Sequence, residues 1–146
     1  MPDHKDKLTT ASVHAFLSER ILARLATANP ANLQPHVVPV WFEWDGDSIW
    51  ISAFSSTRKL REVAMNPRVS IVVDTDENGG SARGVLFEGQ ADLVVDSHMV
   101  VKWATSIYTR YLGEHGVLDP APQSWIIDPE NTIIKLKPEK VYVWGL

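Results

Sequence analysis

The sequence predicts a mainly β domain, a barrel or sandwich of short strands that carries two or three helices. Three observations point there. Short β-branched and aromatic runs recur along the chain, separated by turn signals such as "NPAN", Asp45-Gly46 and "KPEK". Helical spacing of apolar residues is confined to a few stretches. There is no internal repeat and no linker, so residues 1–146 read as a single domain.

Element by element, "TTASVHAFLSE" offers hydroxyl N-caps and then Val13, Phe16 and Leu17 at helical spacing, a short first helix. "ILARLATAN" follows as a strand, and "PHVVPVWFEW" as a second. Pro39 within that second strand cannot donate to a ladder, so one backbone edge there is unpaired or faces a ligand. The Asp45-Gly46 hairpin returns "DSIWISAF" as the third strand. "SSTRKLREVAMNP" then gives a polar loop, a helix of roughly two turns and an Asn-Pro stop, before strand "RVSIVVD". "TDENGGSARG" reads as a mobile polar excursion, and "VLFEGQADLVV" as a strand in which Gly89 marks a bulge or a close backbone approach. From Asp96 the period changes. Val100, Ala104, Ile107, Tyr108 and Tyr111 mark a helix with Gly113 as its C-cap. "GEHGVLDPAPQ" reads as a loop, and "SWIIDPENTIIKLKPEKVYVWGL" as two or three further short strands.

Composition excludes several classes of function. Cysteine is absent, which removes thiolate catalysis, cysteine-ligated zinc and disulfide scaffolds, and fits a cytoplasmic protein. A net charge of −4 argues against a nucleic-acid partner. No apolar run approaches the roughly 20 residues of a membrane span, and "MPDHKDKLTTAS" has no signal-peptide apolar region. The histidines (His4, His14, His36, His98, His115) lack ligand spacing, so no metal site is expected. No nucleophile elbow and no P-loop occurs.

One feature stands against the acidic background. Arg58, Lys59 and Arg61 sit where a loop of small hydroxyl residues (Ser55, Ser56, Thr57) becomes a helix. A helix N-terminus with open N–H groups and a partial positive charge favours a phosphate or carboxylate, and Arg58 offers a bidentate contact. By chemistry alone, however, these cations fit a solvated helix face better than a ligand grip.

Three segments, in order, carry a resemblance: "RLATANPANLQPHVVPVWFEWDGDSIWISAF", "STRKLREVAMNPRVSIVV" and "VLFEGQADLV". Together they resemble the pyridoxamine 5'-phosphate oxidase-like superfamily of split β-barrel flavoproteins, from about Leu17 onward. The resemblance implies a six-stranded antiparallel split β-barrel, homodimeric, with cofactor sites at the subunit interface. Pro35, His36, Val37, Val38 and Val40 would run beside the cofactor ring through main-chain groups. Trp50, Ile51, Ser52 and Ala53 match the segment that meets the ring and the ribityl chain, and Thr57, Arg58 and Lys59 match the phosphate-binding residues. True pyridoxamine phosphate oxidases carry Arg and Trp in a C-terminal segment, whereas here nothing cationic follows Lys140; vitamin B6 oxidation is therefore not expected. "IYTRYLGEHG" and "KPEKVYVWGL" are more similar to the small branch that binds the deazaflavin coenzyme F420. The resemblance thus implies an F420- or FMN-dependent oxidoreductase, with a slight lean to F420, that passes a hydride to a small organic acceptor. No catalytic residue is assigned. A non-catalytic flavin or F420 carrier or sensor is the alternative, followed by a haem-binding relative.

Overall fold

The computed structural model describes residues 10–77 and 81–146. In chain order its elements are α1 (Ala11–Leu17), β1 (Ala23–Ala28), β2 (Pro35–Val40), β3 (Glu43–Trp44), β4 (Ile49–Phe54), α2 (Arg58–Met65), β5 (Arg68–Glu77), β6 (Ser81–Val94), α3 (Ser97–Gly116), α4 (Pro120–Ile126), β7 (Asn131–Leu136) and β8 (Lys140–Trp144). All the ladders among the described residues are antiparallel. The strand order is β2-β1-β5-β6-β7-β4-β3, with β8 added to β6. The fold is the split-barrel type, a curled antiparallel sheet forming a half-barrel, with helices packed on it.

The curl is produced by β6. Its first part pairs β5 from Ser81 to Gln90 and also β8 from Gly84 to Glu88. Its last four residues, Ala91 to Val94, pair β7 instead. Gly89 lies just before this change of partner. A Cβ there would meet the backbone nitrogen of Glu139 at 3.1 Å and Leu136 Cδ1 at 3.2 Å, so the β7–β8 connection crosses in contact with the strand. The close approach signalled by this glycine is present.

Apolar alternation along β4 and β7 builds two cores. Ile49, Ile51, Ile134 and Leu136 pack inside the half-barrel with Val13, Phe16 and Leu17 of α1 and Leu60 and Val63 of α2. Trp50 and Ile133 point the other way, into a second cluster with Val100, Ala104, Ile107, Tyr108 and Tyr111 of α3 and Ile126 of α4. Period-two alternation places successive side chains on opposite faces, and here helices cover both. Each fully buried Ile or Leu contributes about 1.5–3 kcal/mol of transfer free energy.

The structure corrects the sequence reading in four places. Residues 35–44, expected as one strand, form β2 and β3, broken at Trp41 and Phe42. Trp41 stacks on Tyr111 with centroids 5.0 Å apart, and the Phe42 N–H donates to the Tyr111 hydroxyl at 3.2 Å. Helix α3 thus replaces a ladder partner. The excursion at 75–84 is largely a continuing hairpin, since Thr75, Asp76 and Glu77 pair with Arg83, Ala82 and Ser81; residues 78–80 of it lie outside the described residues. Gly113 (φ 83°) breaks the helix as expected, yet a further turn follows to Gly116. The expected loop around Pro120, and the strand expected to begin at Ser124, are helix α4. Asp119 is its N-cap residue with proline at the first helical position, an arrangement whose fixed φ suits helix entry.

Candidate functional site

Among the described residues strand β2 pairs only with β1, so its other edge has no strand partner there. The unpaired edge that Pro39 required is therefore real. Beside it opens a cleft of about 400 Å³ lined by Pro39 and Val40, Ser52 and Phe54 of β4, Lys59 of α2, Ile107 and Tyr108 of α3, Trp125 of α4, and Leu22 and Trp41. Its walls are chiefly apolar and aromatic, and its side-chain polar groups include the Ser52 and Tyr108 hydroxyls and the Lys59 ammonium. This is the usual character of a small-molecule site.

The aromatic wall is interlocked. Tyr108 meets Trp41 edge-on at 5.8 Å and Trp125 edge-on at 6.0 Å, geometries that aromatic rings prefer. The Tyr108 hydroxyl lies 2.9 Å from Ser52 Oγ, which donates to Asn131 Oδ1 at 2.6 Å. Asn131 Nδ2 in turn donates to the Ile126 carbonyl at 3.4 Å, which fixes the orientation of its amide. Ser52 has one proton and spends it on Asn131, so Tyr108 must be the donor to Ser52. Tyr108 consequently presents lone pairs, not its proton, to any further partner. Burial pushes its phenol above the usual 10.0. Burial also pushes the Lys59 ammonium below its ordinary 10.5.

Thr57 is the N-cap residue of α2, but its side chain does not cap the helix. Its hydroxyl donates back to the Phe54 carbonyl at 2.7 Å, closing the turn that leads out of β4. The first-turn N–H groups of α2 are therefore not capped by the Thr57 side chain. The cations of α2 divide. Lys59 turns into the cleft. Arg58 and Arg61 share a separate recess of about 640 Å³ with Asn29, Glu62, Ala64 and Met65. Arg58 Nε donates to Glu62 Oε2 at 2.8 Å.

Of the residues singled out by sequence, Val40, Ser52 and Lys59 meet in the cleft, although they come from three separate elements. Pro35 lies in a different hollow, with residues of β1, β5 and β6. Val37 is 63% exposed, Val38 packs against the inner core, and His36 sits opposite Thr27 in the β1–β2 register. Trp50 stacks on Trp103 under α3 and donates from Nε1 to Asp45 Oδ2 at 2.8 Å, and Ala53 belongs to the inner core. Neither of these two side chains lines the cleft. Leu22, Trp41, Tyr108 and Trp125 line it without having been singled out. Tyr108, on the helix its spacing predicts, is core on one side and cleft wall on the other. Trp144 lies against Gly84 on β6, away from the cleft lining.

The family model for pyridoxamine 5'-phosphate oxidase matches residues 9–145. The chain belongs to the pyridoxamine 5'-phosphate oxidase family. Solved structures similar to this family member include an F420 reductase, at 25% identity and TM-score 0.70, covering 88% of this chain and 94% of that one. A conserved hypothetical protein from Mycobacterium tuberculosis is similar at 22% identity and TM-score 0.78, covering 94% of this chain and 84% of that one. A haem storage protein from Vibrio cholerae is similar at 22% identity and TM-score 0.75, covering 92% and 94%. These last two likenesses concern the fold. No curated protein sequence matches. Among the described residues, no group of three His, Asp or Glu side chains could hold a metal ion, and no helix is long and apolar enough to cross a membrane.

Proposed function

We propose that the cleft beside β2 receives the ring of a flavin-type cofactor, coenzyme F420 in preference to FMN, and that the protein is a cytoplasmic oxidoreductase passing a hydride to a small organic acceptor. One observation carries this reading: Val40, Ser52 and Lys59 converge on a single aromatic-walled cleft next to an unpaired strand edge. The residues present fit such a group. A cleft of about 400 Å³ matches a ring-sized ligand, Ser52 and the β2 edge supply polar contacts, and the uncapped N-terminus of α2 with its cations suits a phosphate. Whichever cofactor binds supplies the hydride chemistry. Trp41, Tyr108 and Trp125 would exclude water from the ring, and Lys59 would offer its ammonium to an anionic group of the ligand.

The protein acts as a homodimer in this reading. Val37 on the free edge of β2 is 63% exposed, and an unpaired apolar strand edge calls for cover. Vitamin B6 is not the substrate. Titration with F420 and with FMN, followed by absorbance and fluorescence, tests the cofactor. Stopped-flow mixing of the reduced cofactor with a panel of unsaturated and carbonyl acceptors tests the reaction. Binding without turnover on any acceptor would instead make the protein a cofactor carrier or sensor, and no binding of either cofactor would end the proposal.

A further inference from the structure

Glu62 is a buried carboxylate at the heart of α2, only 4% exposed. Both of its oxygens are engaged. Oε1 accepts from the hydroxyl of Thr27 on β1 at 2.7 Å, and Oε2 accepts from Arg58 Nε at 2.8 Å. Thr27 is itself buried at 3%, whereas the Arg58 side chain is 48% exposed. A chain of hydrogen bonds thus runs from the sheet, through a fixed carboxylate, to a half-exposed guanidinium in the first turn of an uncapped helix. A carboxylate is costly to bury unless it is paired and hydrogen-bonded, and an arginine on a merely solvated face needs no such support.

The atoms used matter. The tether occupies Nε and leaves the two Nη groups, held in a rigid plane, for a bidentate contact with an anion. A free arginine would have to order its long side chain when it bound a phosphate; this one is already restrained by its bond to Glu62. We infer that Glu62 is a positioning residue that holds Arg58 ready to grip the phosphate of the bound cofactor, an inference that rests on the cofactor reading above. Glu62 touches no ligand and acts only through Arg58.

The test compares each cofactor with its phosphate-free counterpart: FMN with riboflavin, and F420 with its tail-less deazaflavin. The FMN–riboflavin ratio isolates phosphate recognition from ring binding, the F420 ratio reads the phosphate together with its acidic tail, and the pair with the larger ratio in the unmodified protein is used. Glu62→Ala is expected to lower that ratio about tenfold, the worth of roughly one charge-assisted hydrogen bond, while the affinity for the phosphate-free ring stays within about threefold. Glu62→Gln keeps an acceptor for Arg58 Nε and should keep the ratio within about threefold. In an Arg58→Ala background, Glu62→Ala should have no further effect on the ratio. If Glu62→Ala does not fold, Thr27→Val removes the other bond that pins the carboxylate and should give an intermediate fall.

A ratio that falls with Arg58→Ala but not with Glu62→Ala or Thr27→Val would overturn the positioning role and leave the phosphate cradle standing. Equal loss of ring and phosphate binding in Glu62→Ala would make the residue a structural tie between α2 and β1, and would also overturn the inference. A native ratio near one would remove the cradle itself, and the inference with it.

Discussion

Ser52→Ala is the most informative single change to the cleft, because one oxygen atom there serves two buried partners. Ser52 Oγ is 2.9 Å from the Tyr108 hydroxyl and 2.6 Å from Asn131 Oδ1. Both partners are buried, Asn131 at 6% exposure and Tyr108 at 8%. Their fates differ once the serine oxygen is gone. Tyr108 borders the cleft and can turn its proton toward water, so it loses little. Asn131 is held by its own bond to the Ile126 carbonyl and cannot turn. Its carbonyl oxygen would lose the only side-chain donor it has among the described residues, at about 1–3 kcal/mol. The expected loss is therefore about 2 kcal/mol, or about 4–8 °C in Tm for a chain of this size. Tyr108→Phe leaves the Ser52–Asn131 bond intact and should cost less than about 1 kcal/mol. The double variant should cost less than the sum of the two, since the single changes share one bond. Urea denaturation followed by tryptophan fluorescence and circular dichroism measures all three. If Ser52→Ala falls within about 0.5 kcal/mol of the native protein, or no lower than Tyr108→Phe, the fixed direction of this hydrogen-bond chain is wrong.

Three further outcomes are expected. Because burial depresses Lys59 below its ordinary 10.5, the unfolded chain binds the extra proton between the folded value and 10.5. Stability should rise with pH across that window; the difference in denaturation midpoint between the native protein and Lys59→Met should carry the rise, and a flat difference would contradict it. Hydrogen bonds from Arg58, and then Thr27, hold the Glu62 carboxyl below its usual 4.5, so its contribution is present above 4.5 and is lost as pH falls through the folded value. Acid unfolding of Glu62→Gln should accordingly show a shallower limb, and an unchanged limb would count against the pairing. Gly89→Ala would press a methyl group against the Glu139 backbone nitrogen at 3.1 Å and should destabilise by about 1–3 kcal/mol, with an unchanged urea midpoint refuting the close crossing at β6.

Local chemistry explains what was legible in the sequence. Strands such as Ile49–Phe54 and the two-turn helix Arg58–Met65 are set by their own periodicity and stops, and could be read directly. The break at Trp41 and Phe42 could not, because its cause is Tyr111, some seventy positions away in α3. Helix α4 was legible in principle through Asp119 and Pro120, but the prolines around it read first as loop. The same division holds at the site. The strand, β4 and α2 segments announced themselves as motifs, whereas Tyr108 and Trp125 join the cleft only because α3 and α4 fold back over β4. Nothing in one helix's spacing says that its core face ends at a ligand's edge. The split of Arg58 from Lys59 was equally hidden, since it follows from a 100° step around a helix whose orientation the barrel decides.

Trp50 and Trp103 lie with ring centroids 3.9 Å apart and planes 9° from parallel. Two indoles at that separation absorb as a coupled pair, and the coupling vanishes once either moves by a few ångströms. One ring is anchored on β4 and the other on α3, so the protein carries an optical gauge of whether the helix is seated. The rings of Trp41 and Trp125 border the cleft and would answer to a ligand instead. Loss of the ultraviolet couplet and quenching of cleft emission are therefore separable signals, one for detachment of α3 and one for occupancy, obtainable from the native chain without any label.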